Sequence, residues 1–483
     1  MSIHRREILP VLTPARVREV EPARWREECE RQAQEGWRFC GLFAERTTRG
    51  PRVSCAFARG GGEQILSVQA PNETIDTLVD LFGAAAQDER EAHDAYGVRF
   101  DGHEPLRPLL EHPPEPDAWT VPVEGRDAHQ VAVGPIHAGV IESGHFRFTV
   151  VGERILYLDL RLFYKHRGLQ RAAEERSLAD GLAYAGRACG ACAVTNTVAY
   201  AQACESALGL APDHNLRRAR TLLLELERLY NHLNDISAIC AGVGFAPGTM
   251  AFATLKEQAQ RLNERLTGHR FLFGTVALAS SELRVDEAAV RATRGELRAL
   301  GQEERALWRE LRFAAALQDR LSGVGRLTRE DALSIGVVGP AARACGLEDD
   351  TRGESPRLSY PGFCTPKAAN ESGDVAARLE VRQAELEHTF AILDELLSGD
   401  FTTGAVKDAD VPTSEIGVSR VESPRGETVC IVRHQASTIT RLHLRTGSYA
   451  NWPAVAHAAR ENLLPDFPLI NKSFELCYAC ADR

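Results

Sequence analysis

Two short stretches carry sulfur in a spacing that suits a metal. "RACGAC" sets Cys189 and Cys192 three positions apart, and "CYAC" does the same for Cys477 and Cys480. A C-x-x-C pair can aim two sulfurs at one ion, from a tight turn or from a helix face where i and i+3 are neighbours. Four thiolates suit zinc, an iron–sulfur cluster or a thiophilic nickel site. Zinc ribbons bring their second pair about 15–20 residues after the first; here a whole domain intervenes. Spacing alone leaves open a structural zinc, a redox-active centre and unrelated cysteines. The other eight cysteines (29, 40, 55, 204, 240, 345, 364 and 430) are scattered and are expected to be small buried hydrophobes.

The bulk composition narrows the classes. A chain of 483 residues can bury a large core and hold more than one domain. Its net charge of −10 argues against a general nucleic-acid or anionic-membrane surface. No run of 18 apolar residues is present, so no helix is expected to span a bilayer. The opening "MSIHRREILPVLTPARV" lacks the apolar stretch of a signal peptide. Twelve cysteines without such a signal point to a reducing cytoplasm.

The cysteines must be positioned by elements that can be read from periodicity. Residues 1–110 read as a small mixed domain, with strands at "RFCGLFAER", "RVSCAFARG" and "EQILSVQA" and a helix after Asn72 as its N-cap. Residues 111–123, rich in proline, read as a linker. Residues 124–164 alternate as strands. From about 168 the chain turns helical: "NLRRARTLLLELERLYNHLNDISAI" has apolar residues on one face, with its Glu and Arg residues expected on a wet or subunit-facing side. Segments 255–278, 290–317 and 376–397 repeat this period, and short strands return after Gly404. The fold class is therefore α+β: a small N-terminal α/β domain, then a large, mainly helical domain with peripheral sheets over 124–483. No P-loop and no G-x-G-x-x-G dinucleotide motif is present.

The residues flanking the cysteines resemble a known family. "EREAHDAYGVRFDGHEPLRPLL" resembles the signature of the 30-kDa subunit of respiratory complex I. "GPIHAGVIESGHFRF", "FYKHRGLQ", "RACGAC", "LLLELERLYNHLNDISAICAGVGF", "GVVGPAARACG", "SRVESPRGE" and "CYACADR" are similar, in order, to the large subunit of nickel–iron hydrogenases. The membrane-associated, formate hydrogenlyase type is the nearest in pattern. That group is related to the 49-kDa subunit of complex I, so the chain resembles a fusion of two modules.

The resemblance implies that Cys189, Cys192, Cys477 and Cys480 hold a nickel–iron centre whose iron carries carbon monoxide and cyanide. The first of each pair would bind nickel terminally and the second would bridge to iron. It implies that Arg425 sits over the open side of the metals, where a fixed charge can stabilise a polarising bond. Glu142 would be the proton acceptor nearest the terminal nickel cysteine, desolvated enough to titrate near working pH. His137, His145, His166 and Arg187 would extend the proton path or support the ligands. Implied partners are a small iron–sulfur subunit, membrane-arm and other electron-transfer subunits, and maturation proteins, with no nucleic acid. The location implied is cytoplasmic, peripheral on the inner face of the membrane through those partners.

Three departures stand out. Gln170 occupies a position where the family usually has a glutamate supporting magnesium or water, so magnesium is not carried over. Glu475-Leu476 replaces Asp-Pro before the last cysteine pair, which frees φ and restores a backbone N–H. The sequence stops at Arg483, where the family's maturation protease cuts after a basic residue. The leading function is interconversion of H2 with protons and electrons. A complex I-like NADH:quinone oxidoreductase or hydrogenase-related subunit without nickel, acting in quinone or coupling chemistry or as a scaffold, with a cavity near His137 and Tyr164 open towards a membrane partner, is the alternative. A zinc-clamped assembly protein is the third.

Overall fold

A computed structural model describes residues 15–137, 141–281, 283, 287–355, 357–360, 362–398, 404–408 and 413–483. Residues 1–14 of the first domain and 138–140 of the segment leading to Glu142 lie outside the described residues.

The N-terminal sheet is an antiparallel meander of Arg38–Thr47, Gly50–Arg59 and Gly62–Gln69, with Arg16–Glu19 added in parallel to the last strand. Alternation puts Leu42, Ala44, Val53, Cys55 and Phe57 on one face, against Trp25 and Cys29 of the helix Trp25–Gln34. The other face, with Phe43, Ala56 and Ile65, packs on Ile416, Val418, Val429 and Ile431. Period-two patterning on both faces therefore joins this sheet to the rest of the molecule.

The helix expected from Asn72 begins only at Ala85 and runs to Tyr96. Asn72 is not its N-cap: it has φ 50° in a short turn, and Thr74–Asp76 instead pairs in parallel with Arg99–Asp101. β-Branched Thr74, Ile75 and Thr77 favour extension. The buried Glu89 fixes the break by accepting from Thr77 Oγ1 at 2.7 Å and Leu78 N at 2.7 Å.

The larger module is built on the helix His214–Gly242, whose N-cap Asp213 accepts from Leu216 N. Ala193–Ala207, Ala246–Thr267, Val375–Leu396 and Phe467–Phe474 pack around it. The expected second helix stops at Thr267, where Gly268 takes φ 82°. The third is broken at Phe313–Ala314 into Glu287–Arg312 and Ala315–Leu321.

Two sheets flank the bundle. One pairs His129–Val133, His145–Val151 and Arg154–Arg161. The other pairs Ile416–Ser423, Gly426–Gln435 and Thr438–Arg445. Ile416–Ser423 escaped the sequence reading because its polar Ser419, Arg420 and Glu422 are buried, so it lacks the apolar alternation of a half-exposed strand. It lies so close under the helix Ala193–Ala207 that a Cβ on Gly417 would come within 1.9 Å of the Ala203 carbonyl oxygen.

Candidate metal centre

Both cysteine pairs sit where a loop enters a helix. Cys192 is the residue before Ala193–Ala207, and Cys477 is the residue before Tyr478–Asp482, with Cys480 inside that short helix. Their four Sγ atoms lie within 4.8 Å of one another. All four are free thiols; three are buried and Cys477 is half-buried. Thiolates at metal bonds of about 2.3 Å stand about 4 Å apart in a tetrahedral site, so these sulfurs are already at a spacing that bonds to metal demand. As four thiols they do not ionise alike. Hydrogen bonds from Cys192, Cys477 and Cys480 hold Cys189 well below the usual thiol range.

The backbone carrying each pair is held by remote side chains. The central helix clasps the first: the buried Glu227 carboxylate accepts from Val194 N at 2.7 Å and Thr195 N at 3.0 Å, satisfying two free donors at a helix start. Tyr230 and Asn231 donate to the Ala191 carbonyl at 3.1 and 2.8 Å. Burial pushes Glu227 up to about 7. The second pair is held by the start of Gly447–Ala459, where Ser448 Oγ accepts from Cys477 N and Thr446 Oγ1 donates to the Cys480 carbonyl, both at 3.0 Å.

Arg425 follows the strand Ile416–Ser423 and is buried beside the sulfurs. Its Nε donates to the Glu475 carbonyl at 2.6 Å, and its two Nη atoms meet the two Asp235 oxygens at 3.1 and 3.0 Å. Burial opposes the guanidinium charge, but Asp235, then Cys477 and Cys192, outweigh it and raise its pKa. Asp235 is shared with Arg382 at 3.0 Å. Sequence reasoning missed Asp235, Glu227 and Ser448. The first two lie in the quoted helix segment, at helical spacing from one another; no local signal marks Ser448.

The remaining candidates are spread around the centre. Glu142 is exposed, unlike the desolvated acid expected. Its Oε2 accepts from Ala479 N at 2.7 Å, between the last two cysteines. His137 packs edge-on to Phe146 and 6.2 Å from the Tyr478 ring, and its Nδ1 has no partner among the described residues. His145 leans on Trp119, and burial lowers its pKa. His166 Nδ1 is 2.7 Å from the Asp482 carbonyl. The Arg187 guanidinium lies over Phe273 at 5.0 Å, while its carbonyl accepts from Arg167. Tyr164 stacks on His112.

Gln170 faces a cation of the protein's own. Its Oε1 accepts from Leu444 N at 3.1 Å and its Nε2 points to Glu91 at 3.4 Å. Arg483 donates to the Leu444 carbonyl and pairs with Glu91. These groups do not fit a magnesium ion: Gln170 supplies no charge, and the Arg483 guanidinium takes the carboxylate and the carbonyl.

The charged face of the central helix is not wet. Glu225, Glu227, Arg228 and His232 are each 0% exposed. His232 and Arg228 reach Glu385 at 2.8 and 2.9 Å, and Arg343 joins Glu385 to Glu422. Partners from three distant segments make burial tolerable, and none of them is visible in the helix's own period. Cys364 is likewise exposed rather than buried.

Comparison with known proteins agrees with this arrangement. Residues 242–410 and 395–483 match the family described as respiratory-chain NADH dehydrogenase, 49 Kd subunit, and residues 51–125 match its 30 Kd subunit. Formate hydrogenlyase subunit 5 of Escherichia coli is 32% identical over 73% of this chain and 63% of its own length. The chain thus spans less than two thirds of that relative. Hydrogenase-4 component G of Escherichia coli is 30% identical over 86% of this chain and 77% of its own. The carbon monoxide-induced hydrogenase of Rhodospirillum rubrum is 27% identical over 74% and 99%. A chain from the membrane-bound sulfane sulfur reductase, an archaeal respiratory membrane complex, shares the fold with a TM-score of 0.67 at 24% identity, covering 74% of this chain and 99% of that one. Family match, relatives and the four-sulfur cluster converge: the chain belongs to the family of membrane-bound hydrogenase large subunits and respiratory-chain 49 Kd subunits, with a 30 Kd-type module fused ahead.

Proposed function

We propose that the chain is the catalytic large subunit of a membrane-associated nickel–iron hydrogenase complex, interconverting H2 with protons and electrons. The observation that carries this reading is the convergence of Cys189, Cys192, Cys477 and Cys480 within 4.8 Å, beside a buried guanidinium. The four thiolates would hold nickel and iron, with carbon monoxide and cyanide on the iron. When bound, that metal pair supplies a soft, redox-active place at which dihydrogen is cleaved or formed.

The chain's own residues do the rest. Arg425 presents a permanent charge over the sulfurs, fixed by Asp235 and the Glu475 carbonyl. Glu142 takes the proton at Oε2, and its exposure lets that proton leave. His137 stands next to the same Tyr478 that separates the last cysteines. Three of the four sulfurs are buried away from bulk water. Electrons leave to an iron–sulfur partner subunit. A division into residues 1–110, a linker over 111–123 and a catalytic part over 124–483 belongs to this reading, as does peripheral attachment on the cytoplasmic face through membrane-arm subunits. No helix among the described residues is long and apolar enough to cross a membrane.

Metal analysis of the native complex, joined to a hydrogen-dependent dye-reduction assay, is the test. Nickel and iron bound with activity that is lost in Cys480→Ser supports the reading. Zinc at full occupancy with no turnover would assign a structural clamp instead, and no bound metal would favour a coupling subunit.

A further inference from the structure

A second site lies away from the sulfurs, in a cavity of about 310 Å³ between the N-terminal module, the 111–123 segment and the helix Gly447–Ala459. Its wall combines cations, aromatic rings and two buried polar atoms without partners. Arg90, Arg107 and Arg460 come from three separate segments. Among the described residues none of them forms a salt bridge. Arg90 donates to the carbonyls of Arg107 and Pro108, both at 2.8 Å. Arg460 stacks over Tyr157 at 4.5 Å. Among the described residues the buried Trp452 indole Nε1–H has no acceptor and the buried Asp159 Oδ2 has no donor, although Oδ1 accepts from Val121 N at 3.0 Å.

An unpartnered buried N–H and an unpartnered buried carboxyl oxygen are costly. Three guanidinium groups without carboxylate partners give the cavity an excess of positive charge. We propose that this cavity binds a phosphate monoester carrying a compact apolar or aromatic body. A tetrahedral phosphoryl group can take donors from several directions, as the arginines and the indole offer them, whereas a planar carboxylate is served by one fork. The monoester's second proton, lost near pH 6, can lie against Asp159 Oδ2, so the carboxylate meets a hydrogen rather than a bare charge. Trp119, Tyr157 and Leu160 take the body, and the volume suits a small ligand. The same headgroup could come from a soluble metabolite or from an anionic lipid; the chemistry is shared. This inference does not depend on the metal centre.

Calorimetric titration of the full-length chain tests it, with inorganic phosphate, phenyl phosphate and phosphatidylcholine vesicles doped with phosphatidic acid as probes. Phenyl phosphate is expected to bind about tenfold more tightly than inorganic phosphate, reflecting burial of the ring. Arg107→Ala and Arg460→Ala should each weaken it about tenfold, with metal content unchanged. Both side chains reach the surface, so the variants fold. Arginine-dependent binding to the doped vesicles alone would keep the site and assign the source to the membrane. Equal affinity for inorganic and phenyl phosphate, or binding of neither ester nor vesicle in an arginine-dependent way, would overturn the proposal.

Discussion

Arg425 works through geometry that only a guanidinium can meet. One face of its fork takes both Asp235 oxygens while Nε reaches the Glu475 carbonyl. That carbonyl belongs to a non-glycine residue at φ 48°, a conformation that needs outside support. The hydrogen bond from Arg425 is one support, beside the Glu475 N–H donating to the Asn471 carbonyl at 3.1 Å and Asn234 donating to Glu475 Oε1 at 3.1 Å; together they fix the backbone two residues before Cys477. An ammonium cannot make the three contacts of Arg425 at once. On the proposed hydrogenase reading, Arg425→Lys is expected to keep the metal content yet lower hydrogen turnover by about 100-fold, the scale for losing one fixed charge-stabilising group. Turnover within a fewfold of wild type at equal metal content would remove Arg425 from the reaction.

Elements were legible where one local period decided them. The three N-terminal strands follow alternation, and the long helices follow a 3.6-residue stripe. Failures came where distant partners decided. Residues 74–84 carry apolar residues at helical spacing, but Glu89 and the Thr74–Asp76 pairing hold them out of a helix. The sides of the central helix that read as wet are neutralised by Arg343, Glu385 and Glu422, which no window around residue 228 contains. The sulfur cluster was legible through ordered motifs; its supports, Asp235 and Ser448, were not, because each earns its role by tertiary placement.

Helix packing also leaves a pH signature. Glu304, on Glu287–Arg312, is fully buried, with the Gln383 amide beside its carboxyl group as a weak partner that only partly offsets the burial. Burial pushes its pKa up to about 7 from 4.5, with Glu387 adding to the rise. The folded state therefore holds a proton that the unfolded chain releases above 4.5. This group favours folding most below pH 4.5, and that advantage is lost as pH rises through 7, about 3 kcal/mol at most. Glu304→Gln should flatten the decline in melting temperature between pH 5 and pH 7, the span between the unfolded value of 4.5 and the folded value of about 7. An unchanged slope in thermal melts across that range would show that Glu304 is not buried as a neutral acid.

At the scale of the molecule, the two modules are locked by ion pairs, one of which ends close to the cysteine cluster. Asp88 holds Arg445 at 3.0 Å, Arg38 holds Glu427, and Glu91 holds Arg483, three residues beyond Cys480. Burial opposes the Glu91 charge, but Arg483 and then His443 bring its pKa down to about 2. A depressed acid stabilises the fold above its unfolded value of 4.5 and loses that contribution as pH falls toward 2. Removing it leaves the Arg483 guanidinium buried without its carboxylate, which costs about 3–5 kcal/mol. Glu91→Ala should therefore lower the melting temperature by several degrees at neutral pH. If the four cysteines hold a metal as proposed, it should also let a chelator strip that metal faster, because the Tyr478–Asp482 helix loses its anchor. Adding Arg483→Met to Glu91→Ala should recover much of the lost stability, since no unpaired charge remains. If Glu91→Ala melts and holds metal like wild type, the N-terminal module does not brace the centre, and the fusion must serve some other purpose.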